Sequence, residues 1–153
     1  MKTTTLCYIE RHGAYLLLHR IKKKEDVNEG KWIGIGGKLE AGETVEECLL
    51  REVREETGYT LTEYRYVGKI YFEADAWPPE IMHLYHATGF CGDPLPDCAE
   101  GVLAWVNKKE ARQLPMWEGD RIFLDLLEKG APPFTLTLRY RGDELIESVL
   151  EDL

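Results

Sequence analysis

Apolar and polar residues alternate along several stretches of the chain, and this pattern predicts a β-rich α/β protein. The stretch AYLLLHR, from Ala14 to Arg20, is apolar enough for a strand that is buried on both faces. We expect it to form a hairpin with the strand before it, through a turn at Arg11-His12-Gly13. The predicted strands are Thr3 to Glu10, Ala14 to Arg20, the glycine-rich Trp32 to Leu39, Leu61 to Asp75, Glu80 to Phe90, Val102 to Val106, Thr135 to Tyr140 and Leu145 to Leu150.

Three segments have the periodicity or the capping residues of helices. The first begins after Thr44, whose hydroxyl and the Glu47 carboxylate form a capping box, and ends at Gly58, a left-handed cap. The other two run from Lys108 to Gln113 and from Glu118 to Lys129. The last two strands predict a C-terminal hairpin, which either joins the main sheet or serves as an interface strand.

Acidic residues in the first helix fall where apolar residues are expected. At about 100° per residue, Cys48, Leu49 and Val53 form the apolar stripe. Glu52, Glu55 and Glu56 lie on the same face, so three acids are predicted to share the buried side. The polar side is predicted to consist of Glu47, Arg51 and Arg54, with i,i+4 pairs from Glu47 to Arg51 and from Arg51 to Glu55.

Three carboxylates that converge on an inward surface repel one another and lose hydration, so a bound cation would explain their placement. Oxygen ligands of this kind suit Mg²⁺ or Mn²⁺. The alternative from periodicity alone is an acidic, solvated helix whose apolar residues only graze a core. Gly37 precedes this helix, and the absence of a side chain there would let its carbonyl reach a metal.

Composition limits the classes of function. The chain has 153 residues and a net charge of −9, which argues against broad binding to a nucleic-acid polymer. It contains no apolar run of membrane-spanning length and no leader pattern, so we expect a protein that is neither membrane-bound nor exported. Its four cysteines lack CxxC spacing, which favours free thiols in a reducing cytoplasm.

The segment from Gly37 to Tyr59 resembles the complete Nudix box. The shared pattern is Gly37, five residues, Glu43, seven residues, Arg51-Glu52-Val53, one residue, Glu55-Glu56, one residue, Gly58 and a large apolar residue. Within that family the chain is similar to the MutT and MTH1-like branch, through Lys31-Trp32, Glu100 shortly before Trp105, and Met116-Trp117. The resemblance implies a single domain over residues 1–153 with an α/β/α sandwich and a mixed central sheet.

The resemblance also implies roles for individual residues. The expected metal ligands are the Gly37 carbonyl, Glu52, Glu55, Glu56 and Glu100, with Glu56 and Glu100 as candidates for the general base. Glu43 and Arg51 match the pair that holds the loop-helix-loop together. Glu100 has the alternative of an ordinary surface loop acid.

Phosphate contacts are expected from Lys38, and less directly from Lys23 and Arg20, for which solvated charges are the alternative. Trp117 matches the residue that stacks on the base, and Asp120 matches an acid that bonds the purine edge. Trp117 has the alternative of a core aromatic at a helix start. Two positions depart from the mammalian pattern: Ile33 replaces an asparagine, and Gly119 replaces the first of two adjacent acids.

The expected activity is Mg²⁺-dependent hydrolysis of a nucleoside triphosphate, such as 8-oxo-dGTP, to the monophosphate and pyrophosphate. One alternative is a Nudix pyrophosphatase for another nucleoside diphosphate derivative, such as ADP-ribose, a nucleotide sugar or the 5′ end of RNA. A second alternative, from another class, is a nucleotide-sensing module without catalysis.

Overall fold

Nine strands and three helices form the regular structure of residues 1–22, 26–96 and 98–153, which are the residues that the computed structural model describes. The strands are β1 (Lys2–Arg11), β2 (Ala14–His19), β3 (Trp32–Ile33), β4 (Ile35–Lys38), β5 (Thr60–Ala74), β6 (Glu80–Cys91), β7 (Val102–Asn107), β8 (Phe134–Arg141) and β9 (Glu144–Asp152). The helices are α1 (Val45–Thr57), α2 (Lys108–Ala111) and α3 (Glu118–Glu128).

The strands form one mixed sheet. Its main path runs β3-β2-β1-β6-β5-β8-β9, while β4 pairs with β1 and β7 pairs with β2. The β1–β6 and β5–β8 pairs are parallel, and the other pairs are antiparallel. The predicted C-terminal hairpin joins this sheet through β8, as the first of the two predicted alternatives has it.

Strand β1 pairs with two different strands in its two halves. Its first half, residues 4–7, pairs with β4, whereas residues 9–11 pair with β2. Along residues 2–9 its other neighbour is β6. The change of partner holds the glycine-rich segment of β4 beside the start of β1, directly before α1.

Two apolar cores lie on opposite faces of the sheet. Alternate residues of β1 separate them: Tyr8 belongs to the core that contains α3, and Ile9 to the core that contains α1. Strand β2 alternates in the same way and is buried on both faces, as its composition predicts. The result is three layers, helix, sheet and helix, and confirms the predicted fold class.

Local predictions of the elements agree with the structure to within a few residues. The main difference is that the single strand predicted from Trp32 to Leu39 is divided into β3, which pairs with β2, and β4, which pairs with β1. Helix α2 also ends at Ala111 rather than Gln113, because Gln113 and Leu114 form single turns with the residues three positions before them. None of the described helices is long and apolar enough to cross a membrane.

Candidate active site

Helix α1 begins and ends at the predicted caps. Thr44 Oγ1 accepts a hydrogen bond from the Glu47 backbone N–H at 3.1 Å, and Glu47 Oε1 accepts one from the Thr44 N–H at 2.9 Å. Gly58 ends the helix with φ of 84° and donates its N–H to the Arg54 carbonyl. Cys48, Leu49 and Val53 are buried and fix the rotation of the helix against the sheet.

The prediction that three acids share the buried face is wrong for Glu55. Glu56 is buried and the Glu52 side chain is 15% exposed, whereas the Glu55 side chain is 58% exposed. Glu55 lies farthest from the centre of the apolar stripe, so its carboxylate reaches solvent and bonds to Arg51 at 3.1 Å. The buried acidic surface of α1 therefore consists of two carboxylates.

The sequence predicts Arg51 on the polar side of α1, but in the structure its guanidinium points toward the loop before the helix. Its Nε and Nη2 donate to the two oxygens of Glu43 at 2.6 and 2.9 Å. Its Nη1 donates to Glu52 at 2.7 Å, and its Nη2 also donates to the Lys38 carbonyl at 3.1 Å. The bond from Arg51 holds the pKa of Glu43 down at about 2. The arginine thus links the loop to two turns of the helix.

The other predicted pair of Arg51 is absent. Among the described residues, Glu47 forms no ion pair with Arg51, because its carboxylate bonds to the Thr44 N–H in the capping box. The predicted pair of Arg51 with Glu55 is present.

Glu56 is the most deeply buried acid of the helix. Burial and, second, the charge of Glu52 raise its pKa to about 8, while a hydrogen bond from the Gly36 N–H at 3.2 Å acts in the opposite direction. Burial also raises the pKa of Glu52, against the effect of Arg51. Both carboxylates are costly to ionise at this position without a further positive charge.

Glu100 extends from a loop toward the same surface. Its carboxylate lies 3.1 Å from Arg20 Nη2, and its charge raises the pKa of both Glu52 and Glu56. Arg20 also bonds to Asp26 at 2.7 Å, so this predicted phosphate ligand is engaged by two carboxylates. Lys38 is exposed, and Lys23 lies outside the described residues.

The chemistry of these groups fits a hard divalent cation, although they are not gathered as a finished site. Within residues 1–22, 26–96 and 98–153 no three potential ligand side chains converge on one point. Arg51 and Arg20 instead hold Glu52, Glu55 and Glu100. The fit rests on oxygen donors and on Gly37, where an added Cβ would lie 2.4 Å from the Glu52 carboxyl carbon. Any side chain at position 37 would collide with the Glu52 carboxylate, so only glycine lets the backbone lie this close to it.

A pocket of about 200 Å³ extends from this loop to the start of α3. Its lining includes Gly36, Gly37 and Lys38 of the loop segment, together with Trp117 and Asp120. Arg20 and Ile33 also line it. The remaining lining residues are Lys2, Thr4, Thr5, Leu6, Asp26, Val27, Asn28, Phe72, Glu80 and Met82.

Trp117 lies in the core and also borders the pocket. It is 4% exposed and meets Phe72 and Tyr140 edge to face, with ring centroids 5.1 and 4.7 Å away. Its Nε1 donates to Asn28 Oδ1 at 2.9 Å, and Lys31 Nζ lies 4.3 Å from its ring centroid. Trp117 is therefore both a core residue and a lining residue of the pocket.

Asp120 is a buried acid that also lines the pocket. It is 5% exposed, and no described residue hydrogen-bonds to its carboxylate. Burial raises its pKa to about 8, against the charges of Arg121 and Lys31. At neutral pH such a group can be held as a carboxylic acid, which donates one hydrogen bond and accepts another.

The two departures from the mammalian pattern have different surroundings. Ile33 presents an apolar side chain to the pocket. Gly119 is buried, and an added Cβ would lie 2.4 Å from Leu138 Cδ1 and 2.6 Å from the Tyr140 hydroxyl oxygen. Its N–H donates to that hydroxyl at 2.7 Å. An acid at position 119 would meet β8 rather than open space.

The sequence did not reveal Asn28, Phe72 or Met82 as pocket residues. Phe72 and Met82 lie on the alternating inner positions of β5 and β6, and strand alternation was the one signal that pointed there. Asn28 lies in a polar loop, and its partner Trp117 is 89 positions away. No local pattern connects them.

The fold, the acidic loop-helix-loop and the pocket together define a hydrolase of phosphate-containing small molecules. The family model of the NUDIX domain matches residues 2–127. The oxidized purine nucleoside triphosphate hydrolase of Danio rerio is 30% identical over 155 residues, covering 99% of this chain and 96% of the relative. The uncharacterized Nudix hydrolase YvcI of Bacillus subtilis is 31% identical over 134 residues, covering 85% and 81%.

Solved structures agree with these sequence relationships. The crystal structure of the mutator MutT protein from Bacillus halodurans superposes with a TM-score of 0.85 at 31% identity, covering 98% of this chain and 97% of that one. The chain belongs to the Nudix hydrolase family. It is an enzyme of the pyrophosphohydrolase type that acts on nucleotide derivatives.

Proposed function

We propose that this enzyme is a Mg²⁺-dependent nucleoside triphosphate pyrophosphohydrolase that removes oxidised purine nucleotides such as 8-oxo-dGTP. The products are the nucleoside monophosphate and pyrophosphate, and Mn²⁺ can replace Mg²⁺. The partner is the nucleotide rather than a nucleic-acid polymer, in agreement with a net charge of −9. The chain acts as one domain over residues 1–153, in the cytoplasm, where it cleans the nucleotide pool and so protects DNA.

One observation carries this proposal: a single pocket joins the loop before α1 to Trp117 and Asp120. A nucleoside triphosphate has a charged end that needs cations and an aromatic end that needs an apolar surface. The pocket has both kinds of surface among its lining residues, with Lys38 and Arg20 as cations and Trp117 as the aromatic group. The sequence identity of 30% to the oxidized purine nucleoside triphosphate hydrolase of Danio rerio, over almost the whole of both chains, adds support for this substrate class.

Glu52, Glu55, Glu56, Glu100 and the Gly37 carbonyl are the groups that would hold the metal. A bound Mg²⁺ neutralises the polyphosphate and lowers the pKa of a bound water. Glu56 or Glu100 accepts the proton of the attacking water. The Gly36 N–H keeps the Glu56 carboxylate in place, and Lys38 contributes a positive charge toward the phosphates.

For the base, Trp117 offers a rigid aromatic surface because Phe72 and Tyr140 hold its ring. Stacking on such a surface contributes about 1–3 kcal/mol and tolerates many bases. Selection among bases therefore depends on polar groups at the pocket wall. Asp120 is one of them, whereas Ile33 and Gly119 provide no polar side chain.

The test is a substrate panel with identification of both products, run in Mg²⁺ and again after chelation. The panel contains 8-oxo-dGTP, dGTP, CTP, ADP-ribose, a nucleotide sugar and a triphosphate-capped RNA. We expect the highest kcat/KM for 8-oxo-dGTP, with pyrophosphate as the second product. Equal and negligible rates on 8-oxo-dGTP and dGTP would overturn the proposal, and a dominant rate on a diphosphate derivative would establish the alternative enzyme.

Two variants of α1 make the panel specific to the proposed site. Glu56→Gln should remove turnover, because the amide cannot accept the water's proton or ligate the metal as an anion. Glu46→Gln is the matched control, since Glu46 is an exposed acid in the first turn of the same helix. If wild-type binding occurs without turnover in Mg²⁺, the protein is a nucleotide sensor.

A further inference from the structure

The side chain of Asn28 is fixed in one orientation by Trp117. The two residues meet through Trp117 Nε1 and Asn28 Oδ1, which are 2.9 Å apart. An indole N–H can only donate, so the amide atom that faces it must be the oxygen. The amide nitrogen of Asn28, with its two N–H donors, therefore lies on the other side of the amide group.

Backbone hydrogen bonds hold Asn28 in a compact turn. Glu29 N–H donates to the Asp26 carbonyl at 2.9 Å, and Lys31 N–H donates to the Asn28 carbonyl at 2.9 Å. Gly30 N–H donates to the Arg20 carbonyl at 2.7 Å, which ties the turn to the end of β2. The amide of Asn28 is thus placed by the turn at its backbone and by Trp117 at its tip.

Asn28 is a lining residue of the pocket, and its amide nitrogen is the side-chain atom that Trp117 leaves available. Asn28 lines the same cavity as Asp120 and Ile33, and it is only partly exposed. Within the described part of the chain no acceptor bonds to its Nδ2. A partly buried N–H donor without a partner favours a ligand that brings an acceptor.

We infer that Asn28 is a specificity-determining residue, which donates from Nδ2 to a carbonyl oxygen on the ring of the bound base. This inference rests on the proposed function, since it concerns the base end of the same pocket. Asn28 supplies an amide donor on the wall where Ile33 has none. It makes the pocket select bases with a ring carbonyl at position 6 or position 8 of a purine.

The experiment compares Asn28→Asp and Asn28→Ala with wild type on three deoxynucleoside triphosphates. These are 8-oxo-dGTP, dGTP and the 2,6-diaminopurine analogue, so that consecutive members differ in the group at position 8 or at position 6. Aspartate keeps an oxygen for the Trp117 indole but has no N–H donors. A role limited to holding Trp117 would therefore be rescued by aspartate and lost in alanine.

Two ratios of kcat/KM are compared: 8-oxo-dGTP over dGTP for position 8, and dGTP over the diaminopurine analogue for position 6. We expect Asn28→Asp to reduce at least one of these ratios by at least about fivefold, as for one lost hydrogen bond. Because all three substrates carry the same triphosphate, repulsion between the added carboxylate and the triphosphate cancels in these ratios. Ratios in Asn28→Asp that stay within about twofold of wild type at both positions would overturn the inference.

Glu29→Gln is the matched control, because Glu29 is the exposed neighbour of Asn28 in the same turn. It should leave both ratios unchanged. The chain has four tryptophans, so the Trp117 contribution is taken as the difference in emission between each protein and the same protein with Trp117→Phe. This difference should match wild type in Asn28→Asp but shift in Asn28→Ala. Absence of turnover on all three triphosphates by wild type would refute the proposed function, whereas wild-type turnover with unchanged ratios in Asn28→Asp refutes this inference alone.

Discussion

Gly119 is the position where the structure makes the most definite prediction about stability. A Cβ at this residue would lie 2.4 Å from Leu138 Cδ1 and 2.6 Å from the Tyr140 hydroxyl oxygen. Leu138 and Tyr140 are 1% and 3% exposed, so neither side chain has solvent to move into. Gly119→Ala therefore tests whether α3 is packed against β8 as closely as the structure indicates.

The magnitude follows from three opposing effects. Overpacking of a filled core costs about 1–3 kcal/mol, and loss of the hydrogen bond from Gly119 N–H to Tyr140 costs about 1 kcal/mol. Alanine in place of glycine in a helix returns about 0.5–1 kcal/mol. The net destabilisation is about 1–3 kcal/mol, or a fall in Tm of roughly 2–10 °C for a chain of this size.

The assay is urea unfolding of the single variants and of a double variant with Leu138→Val, which removes both Cδ atoms. The loss in the free energy of unfolding of the double variant should be smaller than the sum of the two single losses by at least about 0.5 kcal/mol. Gly119→Ala with Leu136→Val is the control and should be additive, because Leu136 is buried in the same strand but is not among the nearest neighbours of the added Cβ. A Gly119→Ala variant as stable as wild type would refute the reasoning.

The remaining predictions concern charged groups. Glu52→Gln and Glu56→Gln should each lower turnover by at least about a hundredfold while thermal unfolding remains cooperative; near-normal rates in either would exclude that carboxylate as a ligand. Arg51→Lys should lower the urea midpoint of unfolding, because lysine cannot bond both oxygens of Glu43, and an unchanged midpoint would contradict this. Because the folded pKa of Asp120 is about 8 and lies above its unfolded value, the native state keeps a proton that the unfolded state loses. Stability of wild type relative to Asp120→Asn should therefore fall as the pH rises from about 4 to about 8, as measured by urea unfolding at several pH values; a difference independent of pH would show that Asp120 titrates normally.

Most elements of the fold could be predicted because their signals are local. The caps at Thr44 and Gly58 lie within the helix that they bound, and both are found as predicted. The continuous apolar stretch of β2 predicts its burial on both faces, which the structure shows. Such features depend on residues a few positions apart, which a sequence displays directly.

The details of the candidate site depend on contacts between distant residues. Helical periodicity predicts Arg51 on the outside because it treats α1 as an isolated helix, whereas Glu43 and the Lys38 carbonyl draw the guanidinium toward the loop. Only the family resemblance links Glu43 to Arg51 in the sequence. The bond between Asn28 and Trp117 joins the start of α3 to a turn that precedes it by 89 positions, and no periodic pattern in the chain predicts that contact.

The position of Tyr140 has a consequence for how this enzyme could be altered. Trp117 packs on Tyr140 of β8, which lies beyond residue 127, where the match to the family model ends. The acidic helix and the support of the Trp117 ring are thus built from separate parts of the chain. Substitutions in β8 can therefore shift Trp117 and the pocket that it borders, while the residues proposed for the chemistry stay untouched.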